Sequence, residues 1–322
     1  MSQLQYIKIK QFSTEIGSKQ SFDLSYQVFG QPIGNAPVVV VNHALTGNSN
    51  VACEKGWWTD IIGFDKVIDL HKYTVIAFNI PGNGFDENSN NLIEKYKDYT
   101  IRDVAKLFWE GLHLLGITNL HSVIGGSLGG AIAWEMMVLN PKNIEHLIPI
   151  ATDWKATDWV IANVLIQDQI LNNSSNPISD ARLHAMTLYR TPQSINQRFG
   201  LQKVENKNLY QIENWLLNHG TKLQNRFRLE AYKLMNNLLR TNDITRSRNP
   251  LEEIVQTITT AIHIISVDTD YFFTADQNLE TYNQIKNVKE NVFYHKINSV
   301  HGHDAFLIEY DQLIALIQPI FK

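Results

Sequence analysis

Only one cysteine, Cys53, occurs in 322 residues. No disulfide can form within the chain, so the staple that extracellular domains often rely on is missing. Long apolar runs are missing too, none approaching the roughly 20 residues that cross a bilayer. The start, Met1-Ser2-Gln3-Leu4-Gln5, has neither the basic residues nor the apolar stretch of a secretory signal. A cytoplasmic location is expected. Excess positive charge is absent as well: 28 Lys and Arg stand against 32 Asp and Glu, giving a net charge of -4. The basic residues form no stripe, which argues against nucleic acid and anionic membranes as partners and leaves small molecules. Cys53 itself lies in a polar stretch, residues 48–55, without strand-turn-helix context, and reads as an incidental thiol. With 44% hydrophobic and 19% charged residues, the chain has material for a large core in one or two domains.

What is present is a regular alternation. Short β-branched runs at residues 37–41, 74–78, 122–124, 147–151, 261–267 and 292–297 are separated by longer amphipathic stretches, the pattern of a mainly parallel sheet with crossover helices. The run Pro37-Val38-Val39-Val40-Val41 is apolar throughout, as a strand buried on both faces must be. Ahead of these, residues 6–12 and 22–29 read as an antiparallel pair leading into the sheet. Between 154 and 245 the strand pattern stops, and helix-like stretches such as 159–171 and 208–217 take over. The expected organisation is an α/β core of residues 1–153 and 246–322, with a helical lid, 154–245, inserted between the sixth and seventh strands.

The chemistry centres on Val123-Ile124-Gly125-Gly126-Ser127-Leu128-Gly129-Gly130. This is a strand ending in a Gly-x-Ser-x-Gly nucleophile elbow, where small residues two before and two after the serine let backbones approach closely. An apolar helix is expected over 128–139, ending before Asn140-Pro141. A serine hydroxyl needs a base, and the base needs a carboxylate, in the chain order Ser, Asp or Glu, His. The acid can come from Asp268-Thr269-Asp270, after the strand 262–267. The base can come from Val300-His301-Gly302-His303-Asp304, after the strand 292–297 and before a final helix expected to start at Ala305. Spacing leaves Asp268 and Asp270 both open, and His301 and His303 both open. A metal at His301, His303 and Asp304 is not expected, because nothing else supplies further ligands at a recognisable spacing. His43, His113, His121, His263 and the other histidines read as core or surface residues. Two N–H donors must hold the oxyanion: that of Leu128, after the nucleophile, and that of Leu45, in the loop after an early strand.

Taken together, Asn42-His43-Ala44-Leu45-Thr46-Gly47, Gly56-Trp57-Trp58, Thr100-Ile101-Arg102-Asp103, the elbow, and Gly302-His303-Asp304-Ala305-Phe306-Leu307 resemble the homoserine O-acetyltransferase family of α/β-hydrolase proteins. The resemblance implies an α/β-hydrolase fold with Ser127 as nucleophile, Asp270 as the acid and His303 as the base. It implies a ping-pong transfer of an acetyl group from acetyl-CoA to homoserine in methionine biosynthesis, with no cofactor beyond the acyl-CoA co-substrate. Serine as acceptor, succinyl-CoA as donor, and an esterase or lactonase are the alternatives. Ala181-Arg182-Leu183, Thr187-Leu188-Tyr189-Arg190, Gln197-Arg198-Phe199, His219-Gly220 and Arg226-Phe227 resemble the family's lid. By that resemblance Arg182 and Tyr189 hold the acceptor's carboxylate and Asp304 meets its ammonium. Seven residues are two helical turns, so Arg182 and Tyr189 can face one cleft. A homodimer joined through the lid is also implied. The chain departs from the family at residues 79–86, after the fourth strand, and at 172–180, where the lid is shortened.

Overall fold

A computed structural model describes residues 3–322. Eight strands form one sheet: β1 (Gln5–Ser13), β2 (Lys19–Gly30), β3 (Val38–Asn42), β4 (Thr74–Phe78), β5 (Leu120–Gly126), β6 (Ile144–Ile150), β7 (Ala261–Val267) and β8 (Val292–Ile297). Their spatial order is β1-β2-β4-β3-β5-β6-β7-β8. The pairs β1·β2 and β2·β4 are antiparallel, and every pair from β4 onward is parallel. Parallel strands need crossover helices on the faces, and burial on both sides is why the central strands β3 and β4 are almost wholly apolar. In β3, Val38 and Val40 enter one core cluster, while Val39 and Val41 enter the other. The first cluster includes Phe108, Trp109 and Trp134 from α1 (Ile101–Leu114) and α2 (Leu128–Leu139). The second includes Trp58, Leu313 and Ile317, the last two from a helix near the C-terminus, Tyr310–Ile317.

Local rules set the helix ends. Thr100 caps α1 through a capping box with Asp103, each side chain taking the other's backbone N–H. A buried carboxylate, Glu135 of α2, accepts from Arg102 Nε at 2.7 Å and lies 2.6 Å from Arg248 Nη2, and Arg102 Nη1 reaches Glu15 at 2.9 Å. The burial of Glu135 is thereby compensated, and removal of either arginine would leave charge uncovered.

Between β6 and β7 the chain forms α3 (Asp158–Asn173), α4 (Pro177–Tyr189), α5 (Pro192–Phe199), α6 (Gln211–Gln224), α7 (Leu229–Arg240) and the short α8 (Leu251–Gln256). The segment leaves and returns through a narrow neck. Lys155 and Asp243 form an antiparallel bridge, Ala156 N donates to Asn242 O at 2.7 Å, and Ile244 N donates to Trp154 O at 3.2 Å. Helix α6 starts at Gln211, three residues later than the expected stretch, because residues 203–210 close a turn through the Lys203–Tyr210 bridge. The expected final helix also differs. Residues Gly302–Leu307 form a 3-10 segment, and the helix proper begins only at Tyr310. Among the described residues no helix is long and apolar enough to cross a membrane.

Candidate active site

Strand β5 ends at Gly126 and the chain turns directly into α2, with Ser127 at φ 53°, ψ -123°. A non-glycine residue in this region stores about 1–3 kcal/mol of strain, which persists only when the surroundings hold it. They do so here. Ser127 N donates to Ile150 O at 2.8 Å, and Ser127 O accepts from Gly130 N at 3.0 Å and Ala131 N at 3.1 Å. The glycines answer to contact. A Cβ on Gly129 would lie 2.2 Å from Asn42 O, and one on Gly126 would lie 2.3 Å from the Phe306 ring. Helix α2 therefore sits against the end of β3, and Phe306 lies against the elbow.

The loops after β7 and β8 bring two further groups to Ser127. His303 Nε2 is 2.9 Å from Ser127 Oγ, and His303 Nδ1 is 2.7 Å from Asp270 Oδ2. The other oxygen of Asp270 accepts from Phe272 N at 2.7 Å and Phe273 N at 3.1 Å, so the carboxylate cannot swing away. An Nδ1–H donated to Asp270 leaves Nε2 free to accept the serine proton. Rings of Tyr189, Phe272, Phe273 and Phe306 surround the imidazole at centroid distances of 5.3 to 5.9 Å. Burial favours neutral His303, but the charge and hydrogen bond of Asp270, aided by Asp304, outweigh it and hold the imidazole above its ordinary 6.5.

The neighbours left open by spacing go elsewhere. Asp268 Oδ1 accepts from Ser299 N at 2.9 Å and so ties the two loops together. Thr269 makes a second tie, donating to Ser299 O at 2.6 Å and accepting from Gly302 N at 3.1 Å. His301 turns toward the helical segment, its Nδ1 lying 2.9 Å from Ser194 Oγ and 3.1 Å from Arg190 Nη2.

Leu128 is the first residue of α2, where N–H groups and the helix dipole favour negative charge. Leu45 is held in a way that sequence alone did not reveal. His43 lies on this loop and is buried, so it is neither a strand nor a helix residue. Its Nε2 accepts from Ile80 N at 3.0 Å, which leaves the proton on Nδ1, 2.8 Å from the Ala44 carbonyl. Gly47 N donates to the same carbonyl at 2.9 Å. In a trans peptide the N–H points opposite the C=O, so gripping the Ala44 carbonyl turns the Leu45 N–H away from His43 and Gly47. Neither the Leu45 nor the Leu128 N–H has an acceptor among the described residues. Burial keeps His43 neutral, with its pKa lowered to about 4. A histidine directly after a strand, two residues before a proposed donor, was the available signal.

Charged groups of the helical segment face this centre. Arg182 and Tyr189 both lie on α4, with the guanidinium 5.7 Å from the Tyr189 ring centroid. Asp304, raised above its ordinary value by burial against the pull of Arg182, His303 and Arg190, lies 3.9 Å from Arg190 Nη1. Arg226 donates to Thr46 O at 2.9 Å, which fastens the helical segment to the loop that carries Leu45. A cavity lined by Leu45, Gln167, Tyr189, Tyr232, Asn236 and Phe272 lies between the segment and that loop. The arrangement can do nucleophilic acyl chemistry: a serine with a tethered base, oriented N–H donors, and side chains of both charges beside them.

Residues 37–309 match the model of the alpha/beta hydrolase fold family. The homoserine O-acetyltransferase of Cyclobacterium marinum is 31% identical, covering 93% of this chain and 89% of that protein. The chain belongs to the homoserine O-acetyltransferase family. The Corynebacterium glutamicum homoserine O-acetyltransferase is 29% identical, with 99% of this chain and 93% of that one aligned. A solved family structure, the homoserine O-acetyltransferase from Bacillus anthracis, superposes with a TM-score of 0.90 over 100% of this chain and 98% of that chain at 18% identity. Esterase E22 superposes at a TM-score of 0.88 over 100% of both chains, also at 18% identity, so the family's fold is shared with proteins named for hydrolysis.

Proposed function

We propose that this protein transfers an acetyl group from acetyl-CoA to the side-chain hydroxyl of L-homoserine by double displacement. Ser127 attacks the thioester carbonyl while His303 takes the hydroxyl proton, and the N–H groups of Leu45 and Leu128 hold the oxyanion. The thiol of CoA leaves with the proton from His303. Homoserine then gives its hydroxyl proton to His303, attacks the acetyl-serine, and releases Ser127 as the hydroxyl. Asp270 keeps the imidazole in one tautomer and stabilises its charged form in both halves.

The observation that carries this assignment is the meeting of Arg182, Tyr189 and Asp304 beside His303. An amino acid in a dry pocket needs a cation for its carboxylate and an anion for its ammonium, and both charges are here next to the proposed base. A simple ester hydrolase needs neither. The curated relatives named homoserine O-acetyltransferase support the same choice. Helices α3 to α7 act as a lid that excludes water from the acyl-enzyme, which directs the acetyl group to the amino acid. Catalysis by one chain requires no cofactor, and a homodimer through the lid is part of the same proposal.

A panel of acetyl- and succinyl-CoA against homoserine and serine, read by product mass, tests the assignment. O-acetylhomoserine should dominate. Thiol release at the same rate with and without an amino acid would make the protein a hydrolase, and a serine or succinyl product would move it to a different specificity.

A further inference from the structure

Three of the eleven histidines lie at the end of the sheet that takes no part in this chemistry, and a fourth continues their row. His121, His146 and His263 stand near the N-terminal ends of β5, β6 and β7, and His295 stands in the second half of β8, the adjacent parallel strand. Ser127, Asp270 and His303 follow the C-terminal ends, and the six residues from His121 to Ser127 span roughly 20 Å of strand. The rings form a continuous row. Centroids of His121 and His146 are 5.3 Å apart, those of His146 and His263 are 5.3 Å apart, and those of His263 and His295 are 6.1 Å apart. Only His263 of the four is buried, and the other three rings are half-buried, so the row is open to solvent along part of its length.

At one end of the row an acid joins. Donor atoms of His121, Glu145 and His146 all lie within 4.8 Å of one another. Ligands of a tetrahedral ion bound at about 2.0–2.1 Å are roughly 3.3 Å apart, so small side-chain rotations close this set around one ion. The outer contacts suit such a role. A ligating imidazole is normally oriented through its second nitrogen by a carbonyl or another polar group. His121 Nδ1 lies 3.4 Å from Ser122 Oγ, and His146 Nδ1 lies 3.2 Å from His263 Nε2. Glu145 is exposed, so the position opens to solvent, and a water can complete the shell. Two imidazoles and one carboxylate select a borderline first-row ion over Mg2+ or Ca2+, which prefer oxygen donors.

We propose that His121, Glu145 and His146 bind a divalent transition-metal ion, Zn2+ foremost, with His263 orienting His146 as an outer partner. The ion links β5 to β6 and, through the contact of the His121 ring with Phe321, secures the C-terminal residues of the chain. These residues could not be found by spacing, since they come from different strands and meet only through the parallel register.

The test uses the full chain, stripped with chelator and titrated separately with Zn2+ and Co2+. About one ion per chain should bind, Co2+ should give the visible absorption of a four- or five-coordinate site, and Zn2+ should raise the melting temperature. Glu145→Gln is nearly isosteric at an exposed position and should fold normally, yet bind Zn2+ at least about tenfold more weakly, as should His263→Phe, which removes an outer partner. Absence of stoichiometric binding would overturn the proposal. So would binding left unchanged in both variants, which would place the ion on other surface histidines. Acyl transfer is not part of either readout, so failure here leaves the assignment at Ser127 standing.

Discussion

The strand ends that carry Ser127 and the helical segment above them are built by different rules. Around the elbow, backbones and rings touch: the Cβ that Gly129 lacks would sit 2.2 Å from a carbonyl oxygen, and the one Gly126 lacks would sit 2.3 Å from Phe306. Nothing larger fits, and the serine conformation follows from the packing. In the helical segment, Arg182, Arg190 and Arg226 are long side chains reaching inward to Tyr189, Asp304 and Thr46. Sterics do not dictate them; the ring, carboxylate and carbonyl they face do. Under the proposed function, the difference places the reaction type in the rigid edge of the sheet and the choice of substrate in side chains that packing does not fix.

The comparison breaks first at its rigid side. Ser127→Ala should lower acyl transfer by about four to six orders of magnitude with the melting temperature held or raised, since a strained residue loses no packing. Gly129→Ala should instead cost about 3 kcal/mol or more of stability, read by denaturant unfolding, and a stable Gly129→Ala protein would show that the close approach to Asn42 is not required. His43→Leu should slow acylation, measured well below its melting temperature, by about tenfold or more, as expected when one oxyanion donor is misaimed. An unchanged acylation rate would remove His43 from the account.

On the exchangeable side the effects are smaller and should split by half-reaction. Arg182→Ala should raise the homoserine concentration needed by roughly 10- to 100-fold, the worth of a charge-assisted hydrogen bond, while acylation by acetyl-CoA stays nearly intact. Equal loss in both halves would mean that Arg182 serves the core instead. The smallest effect is a shift in pH dependence. His303 acts as a base only when neutral, and its folded value lies above 6.5, so acylation should rise with pH through a midpoint above 6.5. Asp304 adds to that upward displacement, so Asp304→Asn should move the midpoint to lower pH. A midpoint that stays put or moves up contradicts the stated electrostatics.

How much of this could be read beforehand follows the same division. The elbow and α2 were legible because close backbone approach leaves a glycine signature, and β4 and β7 were legible because strands buried on both faces are mostly apolar. Asp268 and Asp270 were not separable, because both follow the same strand and only the turn at Phe272 and Phe273 aims one of them at His303. The same holds for His301, which Ser194 and Arg190 hold 2.9 and 3.1 Å away on the far side of the loop. His43 was read as packing, and its grip on the Ala44 carbonyl depends on Ile80, 37 residues further on. Contacts of that kind are set by tertiary register, which no local pattern encodes.

The most direct test of the central claim is intact-protein mass spectrometry of the chain mixed with acetyl-CoA, followed by addition of homoserine. A single acetyl adduct on Ser127 should form, persist in buffer, and be discharged on addition of the amino acid with O-acetylhomoserine as product. No adduct, or an adduct lost to water as fast as to homoserine, would contradict it.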